Sequence, residues 1–161
     1  MQKASFLLIG LFGIAGPGQA ALPAPIESVA WRVFADEQYG TRVQYPSWFS
    51  VVEGRPELGP GQRLVTPDRR AEIEIYSLPN SGHDSPTGYL AKKLHLSSAA
   101  LHYKPVTKRF FVLSAITGGK IRYTRCNFSG EAIHCVYLGY PPSEKRSWDN
   151  IVTRVSFSLR P

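Results

Sequence analysis

The chain has 161 residues, 43% hydrophobic and 12% aromatic, which excludes a disordered polypeptide and supplies the core of one compact domain. Nineteen Lys and Arg against twelve Asp and Glu leave a formal charge of +7. The basic residues fall only in short doublets such as Arg69-Arg70, Lys92-Lys93, Lys108-Arg109 and Lys145-Arg146, so a mildly basic solvated surface is expected and no nucleic acid partner.

The N-terminus reads as an export signal. Lys3 is followed by an apolar run, Ala4 to Ala15, and then by small and helix-breaking residues, Gly16-Pro17-Gly18-Gln19-Ala20-Ala21. The apolar run is too short to span a bilayer, and the order of the three regions is that of a cleaved secretory signal. Residues 1–21 are therefore expected to be removed, leaving a periplasmic or secreted protein with no stable membrane insertion. Residues 22–37 form an Ala- and Pro-rich lead-in whose last part, Glu27 to Phe34, is ambiguous between helix and strand. Residues 38–161 form a single domain.

Within that domain Tyr39, Thr41, Val43 and Tyr45 alternate with polar or small residues, which predicts a strand ended by Pro46. Trp48 to Val52 continues as a turn and short strand. Glu53 to Gly61 is a Gly- and Pro-rich loop, Gln62 to Thr66 a strand, and Ala71 to Leu78 a strand with Ile73 and Ile75 on one face and Glu72 and Glu74 on the other. The two carboxylates lie about 7 Å apart by strand rise and are expected on a solvated face. Ser85 caps and Pro86 starts a helix. His83-Asp84-Ser85 has the residue types of a catalytic triad, but consecutive side chains diverge, so it reads as loop and cap.

Three strands follow: Arg109 to Ile116, Ile121 to Phe128 and Ile133 to Tyr140. Gly118-Gly119 makes the first turn tight, because paired glycines accept positive φ. With Ser129 to Ala132 as the second turn, Ile116 faces Ile121, Val112 faces Arg125, Tyr123 faces Leu138, and Cys126 faces Cys135. That pairing predicts a structural disulfide in an oxidising compartment. Neither a Cys-x-x-Cys redox spacing nor a set of metal ligands accompanies the cysteines. A final helix is predicted from Ser143, as cap, to Val155, with Trp148, Ile151, Val152 and Val155 on its apolar face. Ser156 to Leu159 is read as a last short strand.

This order of elements resembles the Mog1/PsbP-like fold. The likeness is carried by the strand ending Tyr45-Pro46 before Trp48-Phe49, the middle helix at Ser85 to Leu94, the meander from Arg109 to Tyr140 and the closing helix. It implies an α+β architecture, an antiparallel β-sheet flanked by helices as an α/β/α sandwich. The chain is also similar to short exported alphaproteobacterial proteins in Tyr39-Gly40-Thr41-Arg42-Val43-Gln44-Tyr45-Pro46 and Arg125-Cys126-Asn127-Phe128-Ser129-Gly130. The resemblance implies a partner-binding or accessory role and transfers no metal or cofactor ligand.

No nucleophile elbow, phosphate loop or zinc-protease motif is present in the sequence. No catalytic residue, metal or cofactor is assigned. His83, His95, His102 and His134 are read as exposed or hydrogen-bonded histidines. Arg125, on an otherwise apolar face, needs a partner, with Asp149 or Glu144 of the last helix the expected one. The alternative is an anion pocket, or a small enzyme's site, joining Arg125 to His134. Arg109, Lys120 and Arg122 on the opposite face are read as a solvated edge or a basic patch for a partner. Trp31, Tyr39, Trp48 and Phe49 belong mainly to the core, with one or two lining a groove. The expected protein is a monomeric, exported, non-enzymatic binding module for an envelope protein or a small anionic ligand.

Overall fold

A computed structural model describes residues 29–52, 54–57, 59–93, 101–103 and 105–161, the last-but-one segment by its backbone alone. The segment expected to be an export signal, His95 and the side chain of His102 lie outside the described residues. The elements are β1 (Trp31–Ala35), β2 (Arg42–Pro46), β3 (Ser50–Val51), β4 (Gly61–Val65), β5 (Glu72–Pro79), α1 (Pro86–Lys93), β6 (Leu101–Tyr103), β7 (Phe110–Thr117), β8 (Lys120–Ser129), β9 (Ala132–Tyr140) and α2 (Lys145–Ser158). Seven strands form an antiparallel sheet in the order β3-β4-β5-β9-β8-β7-β6, and β1 pairs with β2 in a separate two-stranded sheet.

The sheet is central because each strand has two usable faces. Ile73, Ile75, Val136 and Leu138 pack with Val43, Tyr45, Trp148, Val152 and Val155 under α2 and the β1-β2 pair. The intervening Tyr76, Ile133 and Cys135 pack with Phe111, Leu113 and Leu90 under α1. Alternation along one strand thus feeds two cores, and the chain is an α+β sandwich as expected. Gly118 and Gly119 both have positive φ, 58° and 73°, as a two-residue turn of this hand requires. The pairings Ile116 with Ile121, Val112 with Arg125, Tyr123 with Leu138, and Cys126 with Cys135 all form. The two cysteines are disulfide-bonded with Cα atoms 4.2 Å apart.

Two local expectations are corrected, and one left open is decided. Residues 31–35, in the part of the lead-in left open between helix and strand, form β1, whose backbone pairs with the edge of β2. Ser143 does not cap α2. A 3₁₀ turn spans Pro142–Glu144, and the helix begins after it without a side-chain cap. Ser156 to Ser158 is helical, not a strand, since Ser156 continues the buried face of Trp148, Val152 and Val155. Only Arg160 returns to the sheet, bridging Arg42. The cap at α1 does form: Ser85 Oγ accepts from the Gly88 N–H at 3.1 Å. Among the described residues no helix is long and apolar enough to cross a membrane.

Candidate functional sites

β9 is the middle strand of the seven, and His134 sits on it opposite Ser77 of β5. His134 is 1% exposed and Thr41 is fully buried. Thr41 Oγ1 lies 2.6 Å from His134 Nδ1 and 2.6 Å from Ser77 Oγ. Ser77 Oγ in turn donates to Asp36 Oδ2 at 3.3 Å. Asp36 is anchored in its turn by the N–H groups of Gln38 and Tyr39, each at 3.1 Å.

Proton counting assigns the directions in this chain. A carboxylate only accepts, so the single Ser77 proton goes to Asp36. Ser77 then accepts from Thr41, and Thr41, its proton spent, accepts from His134. All three bonds form together only if the imidazole carries its proton on Nδ1, which leaves Nε2 as an acceptor. Burial holds the ring below its ordinary pKa, against the pull of the Asp36 charge, so it is neutral at pH 7.

His134 lines a cleft of about 570 Å³ with Gln38, Tyr39, Ser81, His83 and Glu131 among its other walls. The loop carrying Ser81 and His83 is tied to the facing wall through Asn80, whose N–H donates to the Glu131 carbonyl at 2.6 Å. The Asn80 side chain closes the loop by accepting from Asp84 N–H at 2.9 Å and donating to its carbonyl. Within it His83 is left-handed, with φ 49°. Sequence reasoning named His134 but missed Asp36, Thr41 and Ser77. A signal was there: Thr41, Ser77 and His134 each continue an alternation of buried residues, Val43-Tyr45, Ile73-Ile75 and Val136-Leu138.

Arg125 does not line this cleft, so the alternative of a pocket joining Arg125 to His134 gains no support from it. Nor does Arg125 meet the helix carboxylates. Asp149 pairs with Lys145, and Glu144 with Arg70 and Trp148 Nε1. Arg125 instead stacks on rings, its guanidinium carbon 4.4 Å from the Phe110 centroid and 5.5 Å from that of Phe157. Its Nε donates to Asn127 Oδ1 at 2.9 Å. The reason is geometric: Arg125 lies towards the C-terminal end of α2, whereas both acids lie at or near its start.

Lys120 and Arg122 share the other sheet face with Arg63, Glu72 and Glu74, and the patch is a mixed lattice, not a basic one. Arg63 reaches Glu72 at 2.6 Å and Glu74 at 3.4 Å, and Lys120 reaches Glu72 at 3.5 Å. The two carboxylates, expected in solvent, have only 14% exposed side chains. Burial works against the charge on both. At Glu72 the Arg63 hydrogen bond and Lys120 reverse it and lower the pKa, while Glu74, beside Glu72 and Glu57, is raised. Arg109 stands apart at the far end of β7, in the turn built on Thr107. Of the aromatics, Phe49 is buried, Tyr39 lines the His134 cleft, and Trp48 lines a second cleft of about 350 Å³ with Arg70, Glu144 and Trp148. Among the described residues no three His, Cys, Asp or Glu are grouped to hold a metal ion.

No family model matches the chain. No curated protein matches it either. Among solved structures it is similar to the solution structure of cyanobacterial PsbP (CyanoP) from Synechocystis sp. PCC 6803, with a TM-score of 0.63 and 8% identity. The match covers 87% of this chain and 97% of that one. At that identity the likeness shows the fold alone, and the chain has a PsbP-like fold.

Proposed function

We propose that the protein is an exported, non-enzymatic binding module of the cell envelope that engages an acidic segment of a partner protein through Arg125 and the rings around it. The observation that carries this reading is the state of Arg125. Its guanidinium is held by two aromatic faces and by Asn127, and no described carboxylate neutralises it. A stacked, preorganised Arg keeps its remaining donors for an incoming carboxylate at low entropic cost. One of the two rings, Phe157, is 73% exposed, and Ile116, on the same sheet face as Phe110, is 50% exposed. Aromatic and Arg anchors of this kind carry interface energy. Export is supported by the signal-like N-terminus and the disulfide, which persists in oxidising compartments.

The test is a photo-crosslinking amino acid placed at position 157 of the full chain, expressed in its own host, with a control at exposed Lys93. A discrete adduct at 157 that is absent at 93 and lost on Arg125→Glu supports the reading. No adduct, the same adducts at both positions, or an adduct indifferent to Arg125→Glu overturns it. N-terminal sequencing of the protein recovered from that host tests export: a start near Ala21 or Leu22 is expected, and an intact Met1 contradicts it.

A further inference from the structure

The His134 cleft differs in chemistry from the rest of the molecule. The protein carries a formal charge of +7, yet none of the ten residues lining this cleft is Lys or Arg. Its one formally charged side chain is that of Glu131, and Asp36 stands behind it at the head of the hydroxyl relay. The relay places the His134 proton on Nδ1, and Nε2 has no hydrogen-bond partner among the described residues. Nε2 is not among the sealed unpaired atoms of the described residues and so opens on the cleft, where a ligand or water can meet it. The walls thus offer the Glu131 carboxylate, the His134 lone pair, a second imidazole at His83, and the amphoteric side chains of Gln38, Tyr39, Ser81 and Ser129.

We infer that this cleft is a binding site for a ligand bearing a protonated amine, which donates to His134 Nε2 and to the Glu131 carboxylate. An ammonium has three donors and no acceptor, and so matches a wall of acceptors. An anion meets the opposite: a carboxylate and a lone pair with no Lys or Arg in the lining to offset them. The volume, about 570 Å³, is that of a small-molecule site. Asn80 couples the two walls through backbone and side-chain bonds, so the site is shaped before a ligand arrives and less ordering entropy is lost on binding. The site is distinct from the Arg125 surface, and neither reading depends on the other.

The test uses D-glucosamine and 1,4-diaminobutane, each against its N-acetylated counterpart, titrated into the mature disulfide-bonded protein and followed by amide chemical shifts. Saturable shifts at Tyr39, Ser81, Glu131 and His134 are expected for the amines alone, weakened about tenfold by loss of one charge-assisted contact in Glu131→Gln. Glu131 is exposed, so this variant leaves the fold intact, which its amide spectrum verifies. Equal response to amine and acetylated probe, shifts elsewhere only, no saturable shift, or unchanged affinity in Glu131→Gln overturns the inference. A ring-nitrogen spectrum of the free protein gives a second readout. The Nδ1–H tautomer is required, and an Nε2–H tautomer sinks the proposal, because Nε2 then donates where it is needed to accept.

Discussion

The hydroxyl of Tyr137 occupies the space that a side chain at Gly139 would need: an ideal Cβ there falls 2.6 Å from Tyr137 Oη and 3.1 Å from Glu72 Oε1. The two residues are neighbours on one face of β9, two positions apart. The hydroxyl is buried without a hydrogen-bond partner among the described residues, and burial pushes its pKa up to about 12. Gly139→Ala is therefore expected to destabilise by about 1–3 kcal/mol, the range for overpacking. Tyr137→Phe removes an unsatisfied hydroxyl and is expected to be neutral or stabilising. Combined, the two changes recover most of the Gly139→Ala loss. Urea denaturation of the four proteins checks this, and strictly additive effects contradict it.

Glu72 and Glu74 share one sheet face but are expected to respond oppositely to pH. The Glu72 carboxyl is held below its ordinary value, so its contribution is present above the unfolded pKa and is lost as pH falls through the lowered folded one. Glu74 is held above its ordinary value, so its ionisation weakens the fold at neutral pH, and the penalty lifts as pH falls through the raised value. Glu72→Gln should cost on the order of 1 kcal/mol at pH 7, since solvent at the 43% exposed Arg63 screens the pair. Its cost shrinks in acid. Glu74→Gln should be neutral to stabilising at pH 7. Chemical denaturation from pH 3 to pH 7 decides it, and equal losses for both variants would show the lattice is read wrongly.

The disulfide is expected to stabilise without acting chemically. Cys135 is fully buried and Cys126 is 2% exposed, so neither sulfur is offered to a substrate. Replacing both by Ala should cost about 2–3 kcal/mol, the chain-entropy value for a loop of this size, while the amide spectrum keeps the β8-β9 register. Loss of that register would make the disulfide a determinant of pairing.

Thr41 joins two polar groups with one hydroxyl. Thr41→Val keeps the volume but leaves both His134 Nδ1 and Ser77 Oγ without their 2.6 Å partner. The expected loss is about 2–4 kcal/mol, the desolvation cost of orphaned buried groups. Thr41→Ser, which keeps the hydroxyl, should lose roughly the burial of one methyl, about 1 kcal/mol. Thermal and urea unfolding compare the two, and similar losses would show that the relay contributes nothing.

Much of the fold was legible because local chemistry is enough to write it. Gly118-Gly119 set a two-residue turn, period-two alternation set the faces, and two cysteines at a register position agreed with both. Boundaries near Ser143 and Ser156 were not, since a helix end depends on where the buried face stops, and that is a property of the sheet beneath it.

The sequence by itself determined the pairing of β7, β8 and β9, the disulfide, the helix started by Pro86 and the presence of a polar residue at the end of three apolar alternations. Only the tertiary structure decided that Thr41, Ser77 and His134 meet, 36 and 93 positions apart along the chain, and that Arg125 stacks on Phe110 and Phe157 instead of meeting an acid. The physical reason is that alternation tells which face a side chain occupies but not which element covers it. That choice is made by strand order and by the docking of β2 and α2 over the sheet, and both arise from contacts far apart in sequence.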